Sequence, residues 1–65
     1  MSKWFNVRGV RHYDVMIEVE DEHTSGQAVQ DVMDEFSLEE VTDVELIADE
    51  DVERYIRHAT DTLDL

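Results

Sequence analysis

Eighteen of the 65 side chains are Asp or Glu. Such a set can do three kinds of chemistry: proton transfer, cation coordination and electrostatic capture of a basic partner. Proton transfer needs a pocket and a group to activate. Carboxylate pairs exist here by number alone, with no nucleophile constellation beside them, so no enzymatic activity and no cofactor are expected. For metal binding, His12, His23 and His58 match no compact ligand spacing, and His58–Asp61 is a single i,i+3 pair. Asp49, Asp51 and Glu53 imitate the start of a calcium loop. The glycine that loop requires is Arg54 and its closing Glu is Thr60, so no metal site is expected. Capture of a basic partner is the chemistry left.

The distribution of charge sharpens that reading. Lys3, Arg8 and Arg11 precede the first acid, Asp14, and give residues 1–13 a charge of +3. Residues 14–65 hold all 18 acids against Arg54 and Arg57, a net of −16, and the whole chain carries −13. A chain this short must display such a field, which steers or repels partners. The candidate partner-binding residues are Asp14, Glu18, Glu20, Asp31, Asp34, Glu35, Glu39, Glu40, Asp43 and Glu45. On an extended strand Asp14, Glu18 and Glu20 share a face, with i,i+2 neighbours about 7 Å apart. On a helix Asp31, Asp34 and Glu35 lie about 5–6 Å from one another. Beyond Arg11, three places before Asp14, none of the ten has a Lys or Arg three or four places away, whereas Glu50–Arg54 and Glu53–Arg57 have the i,i+4 spacing that neutralises a helix face.

Two explanations fit this pattern. Carboxylates on rigid elements can imitate a phosphate array and occupy the basic groove of a nucleic-acid-binding protein, with fast, salt-sensitive association. Alternatively the acids adapt the surface of a small cytoplasmic adaptor or housekeeping domain to molar salt, which the single Lys among five basic residues also suits. Direct nucleic-acid binding is not expected, because the −16 segment repels a phosphate backbone. Trp4, Phe5, Arg8, Arg11, His12 and Tyr13 interleave aromatic and basic residues, but a hairpin with core aromatics and basic edges accounts for them.

The elements that position these residues follow from periodicity. Tyr13, Val15, Ile17 and Val19 alternate with Asp14, Met16, Glu18 and Glu20, a strand. Trp4 to Val10 predicts a second strand with Phe5 and Val7 on the core face, and Gly9 to His12 the turn between them. Thr24 and Gln27 have capping-box spacing. Ala28, Val29, Val32, Met33 and Phe36 then form one helical stripe. Ser37 to Glu40 predicts a turn and Val41 to Ala48 a third strand, with Val44, Leu46 and Ala48 on one face. Asp49 or Asp51 is expected to cap a last helix with the stripe Val52, Tyr55, Ile56, Ala59 and Leu63. Asp61 and Asp64 then fall at the end of that helix least suited to acids.

One α+β domain over residues 1–65 is expected, in the order ββαβα. It has a three-stranded antiparallel sheet of spatial order 2-1-3 and both helices on one face. The open face would mix Trp4, Val10 and Met16 with the strand acids, making Trp4 and Met16 possible apolar anchors for a partner or a second copy. With no Cys and a small core, stability is expected to be marginal and to rise with salt. No apolar run approaches the roughly 18 residues of a membrane span. The N-terminal residues lack a signal-peptide stretch, so a cytoplasmic protein with no membrane contact is expected, a monomer or weak homodimer.

The chain resembles the small acidic phage proteins that inhibit CRISPR effectors, the anti-CRISPR proteins. It is similar to inhibitors of type I surveillance complexes, type I-C included. The resemblance covers the whole chain and lies in its size, its lack of cysteine and its excess of Asp and Glu from Asp14 onward. It implies a non-catalytic inhibitor that acts in the cytoplasm of the infected host, binds a Cascade-like complex and blocks target DNA. It assigns no individual residue a role.

Overall fold

Alternation builds the two central strands. A computed structural model describes residues 2–9, 13–36 and 40–64, and in it β1 (Ser2–Gly9) and β2 (Tyr13–Glu20) pair antiparallel. Phe5 stands opposite Ile17 and Val7 opposite Val15, so the two apolar rows meet on one face. α1 (Ser25–Phe36) lies over that face. Its Ala28 and Val32 join Phe5, Val7, Val15, Ile17 and Val19 in a buried cluster, with Val29 and Phe36 packed against it. Each fully buried aliphatic side chain contributes about 1.5–3 kcal/mol. Phe36 also meets Tyr13 at a centroid distance of 6.1 Å.

The start of α1 follows the expected capping box. The Thr24 amide donates to Gln27 Oε1 at 2.9 Å, and the Gln27 amide donates to Thr24 Oγ1 at 3.2 Å. β3 (Val41–Ile47) pairs antiparallel with the other edge of β1, which gives the expected order 2-1-3 for the first three strands. The expected Gly9–His12 turn lies mostly outside the described residues, as do Val10 and positions 37–39.

Beyond β3 the structure departs from expectation. α2 (Asp49–His58) stops five residues before Leu63, and Ala59 is extended at φ −74 and ψ 146. Asp61–Asp64 forms a fourth strand, β4, parallel to β2 with Leu63 level with Ile17. The sheet is therefore four-stranded and mixed, in the order β3-β1-β2-β4. Leu63 packs on the main core as a strand residue, and the awkward placement of Asp61 at a helix end disappears. Neither Asp49 nor Asp51 caps α2: the N-cap is Ala48, with no side-chain bond.

The helices also divide between the two faces. The Asn6, Arg8, Asp14 and Met16 row points away from α1. Residues of α2 instead meet Asn6, Arg8 and Asp14 around a shared cavity, and Tyr55 Oη reaches Glu45 Oε1 at 3.5 Å. Handedness accounts for this. The connection β2–α1–β3 crosses β1 in one direction, and β3–α2–β4 crosses back over β1 and β2. Crossovers between parallel strands are right-handed in about 98% of cases, so reversing direction puts the second helix on the opposite face. The face expected to be open is thus covered. Asn6 and Met16 are buried there, and Met16 has no accessible surface. Among the described residues, no helix is long and apolar enough to cross a membrane.

Candidate functional site

The ten candidate acids do not form one plate, because strand parity and helix placement send them to opposite faces. Asp14, Glu18, Glu20, Asp43 and Glu45 belong to the face that α2 partly covers. Asp31, Asp34 and Glu35 ride on α1, across the sheet from them. Glu40 is exposed just before β3, and Glu39 lies outside the described residues.

Several of these acids already have partners. Asp14 Oδ1 lies 3.4 Å from Arg8 Nε. Asp31 Oδ2 lies 2.8 Å from His23 Nε2. Glu18 accepts the Ser2 hydroxyl, Asp34 accepts the Gln30 amide at 3.0 Å, and Asp43 accepts its neighbour Val44's amide at 2.9 Å. On α2, Arg57 meets Glu53 at 3.3 Å as its spacing suggests, but Arg54 pairs with Asp51 at 2.8 Å and not with Glu50. Phe5 is in the core and Trp4 is half-buried on the other face, so the N-terminal aromatics form no stacking platform.

Along the β3 edge of the sheet, exposed acids on both sides have no basic partner among the described residues. β3 is an edge strand, and α1 packs on it. Asp43 and Glu45 are exposed along β3, Glu40 precedes it, and Asp34 and Glu35 are exposed near the end of α1. Within this edge Leu46 is 59% exposed, the one large apolar side chain so exposed among the described residues. Periodicity placed Leu46 on the core face, and its register opposite Phe5 agrees. What periodicity missed is that an edge position leaves that face half uncovered. Met16, the expected anchor, is sealed beneath the α2 layer and is not available to a partner.

The second feature is the cavity between α2 and the sheet, about 210 Å3, lined by Asn6, Arg8, Asp14, Arg54, Tyr55 and His58 among others. Asn6 is 3% exposed. Its side-chain amide donates to Met16 Sδ at 3.6 Å and its Oδ1 accepts from Arg8 Nε at 3.0 Å. No motif marks this site, because its members come from three elements and meet only when α2 takes the far face. Among the described residues, no three His, Cys, Asp or Glu side chains converge as a metal site would need. Compared with known proteins, the chain matches no protein-family model, no curated protein and no solved structure.

Proposed function

We propose that this protein is a non-catalytic inhibitor that presents the acidic β3 edge to a basic nucleic-acid-binding protein. The observation that carries the proposal is the edge itself. Asp43 and Glu45 line one face of an outer strand whose free side has no neighbour among the described residues, and Leu46 is exposed next to Glu45 on the strand's other face. Carboxylates at that spacing imitate phosphates for a cationic groove, and an exposed Leu supplies a contact that can be desolvated. The resemblance to anti-CRISPR proteins names the target class, a type I surveillance complex. Such complexes hold nucleic acid in positively charged channels, so the charges are complementary. The protein then works in the cytoplasm of the infected cell.

The test is a mobility-shift assay of target DNA on a purified type I-C complex, with and without this protein. Inhibition by the natural chain, lost in a folded Asp43→Lys/Glu45→Lys variant, supports the proposal. Equal inhibition by that variant, or none by the natural chain, rejects it.

A second reading has its own observation. The acids spread over both faces and the outer side of α2, as a surface adapted to molar salt would have them. It is distinguished by a melting temperature that keeps rising into molar KCl.

A further inference from the structure

The cavity under α2 combines three features that a loosely packed helix alone does not explain. First, α2 is amphipathic yet buries none of its residues. The space that tighter packing would remove is the cavity itself. Second, its floor is a buried amide. Asn6 stands in a central strand between Phe5 and Val7, where a polar side chain is costly unless bonded. Its strong bond goes to Arg8, and its other partner is a weakly accepting thioether. Asn6 therefore acts chiefly to fix Arg8. Third, Arg8 is held from one side only. Its Nε is shared between Asn6 Oδ1 at 3.0 Å and Asp14 Oδ1 at 3.4 Å. Its two terminal nitrogens have no partner among the described residues. A guanidinium anchored at Nε with its terminal fork open is arranged to take a planar oxyanion.

The opposite wall agrees. Arg54 and Tyr55 are neighbours on α2 and His58 follows one turn later, and Arg54 lies over the Tyr55 ring at 5.8 Å. The chain has five Lys and Arg in all, and two of them line this one cavity. Two acids stand at the site itself: Asp14 lines the cavity 3.4 Å from Arg8 Nε, and Asp51 holds one terminal nitrogen of Arg54 at 2.8 Å. An anion must compete with both carboxylates, while the more distant acids are screened beyond about 8 Å at physiological ionic strength.

We propose that this cavity binds a small molecule through a carboxylate or phosphate group. Arg8 is the anchor, and Arg54, Tyr55 and His58 close over the ligand from α2. The volume, about 210 Å3, is below the roughly 300 Å3 at which drug-sized pockets begin, so the ligand carries only a few carbons beyond the oxyanion. This site is independent of the β3 edge, and either can stand without the other.

The test is a 1H–15N NMR titration at constant pH and about 0.15 M NaCl, with sodium phosphate in one series and sodium succinate in the other. The expected result is saturable shifts centred on Asn6, Arg8, Tyr55 and His58 in at least one series, and the series that responds identifies the oxyanion. Arg8→Lys keeps the charge but loses the fork, and should weaken binding by about tenfold. Arg54→Gln lies on a side chain 67% exposed, so it tests the site without endangering the fold, and should weaken binding several-fold with an unchanged melting temperature. Two results overturn the proposal: no saturable shift in either series, or equal affinity in a folded Arg54→Gln or Arg8→Lys protein.

Discussion

Thr60 holds Asp14 by both of its backbone groups. The Thr60 amide donates to the Asp14 carbonyl at 2.8 Å, and the Asp14 amide donates to Thr60 Oγ1 at 3.2 Å. This clasp lies one residue before β4 begins to pair with β2. It ends the α2 crossover and sets the register in which Leu63 reaches the core. Without it, a four-residue edge strand has little to hold it, since short strands gain few ladder bonds.

Thr60→Ala should therefore cost about 1 kcal/mol, the usual net worth of one hydrogen bond. In a domain of this size that lowers the melting temperature by about 4–8 °C. Hydrogen exchange should show where the loss falls, with protection reduced at residues 61–64 more than in α1. Uniform loss across the sheet would mean that β4 is integral to the global unfolding unit and not a separately docked strand.

The capping box of α1 offers a test of coupling. Thr24→Ala removes the acceptor for the Gln27 amide, and Gln27→Ala removes the acceptor for the Thr24 amide. The first should cost about 1 kcal/mol. The two bonds brace one turn, so the double variant should lose measurably less than the sum of the singles, by about 0.5 kcal/mol or more. Urea unfolding of the four proteins gives the cycle directly, and additive losses would show that the two bonds act independently.

How far the sequence foretold this structure depended on which signals were local. β1, β2, α1 and β3 were legible because each has its own period: Val15 and Ile17 alternate with polar neighbours, and Ala28, Val32 and Phe36 recur at helical spacing. The end of α2 was not legible. Leu63 continues the spacing of Val52, Tyr55, Ile56 and Ala59, and neither Gly nor Pro marks a stop at Ala59. That one error carried the rest. With β4 hidden, the crossover that sends α2 to the far face was invisible, so Met16 looked exposed and the Asn6–Arg8–Tyr55 cavity could not be anticipated. The acids were legible as residues but not as a surface, since sharing a surface depends on topology.

Burial and exposure give Met16 and Leu46 opposite roles. Met16 has no accessible surface and receives the Asn6 amide, whereas Leu46 is 59% exposed on the free edge. Met16→Ala should destabilise the fold by about 2–5 kcal/mol, the range for deleting a buried large side chain. In a 65-residue domain that can exceed much of the total stability. Met16→Leu conserves volume and should cost less than about 1.5 kcal/mol. Leu46→Ser should barely change the melting temperature but should weaken target binding. If Leu46→Ser unfolds the chain while Met16→Ala does not, the two residues have been assigned the wrong way round.

Charge repulsion should make this fold unusually sensitive to salt at the low end. Against 18 acids there are five Lys and Arg, and three of those, Arg8, Arg54 and Arg57, are engaged with Asp14, Asp51 and Glu53. Most of the remaining field is unneutralised. Adding salt from about 0.01 M to 0.15 M shortens the screening length from about 30 Å to 8 Å, which removes repulsion between elements but not between adjacent side chains. The melting temperature should rise steeply over that interval and flatten beyond it. Asp34→Asn and Glu35→Gln neutralise exposed acids on α1, so they should raise the melting temperature in dilute buffer and flatten the same curve. Scanning calorimetry of the natural chain and the double variant across that range provides the check. A natural-chain curve flat below 0.15 M but rising into molar KCl would transfer the weight to the salt-adapted reading, because screening alone saturates long before molar concentrations.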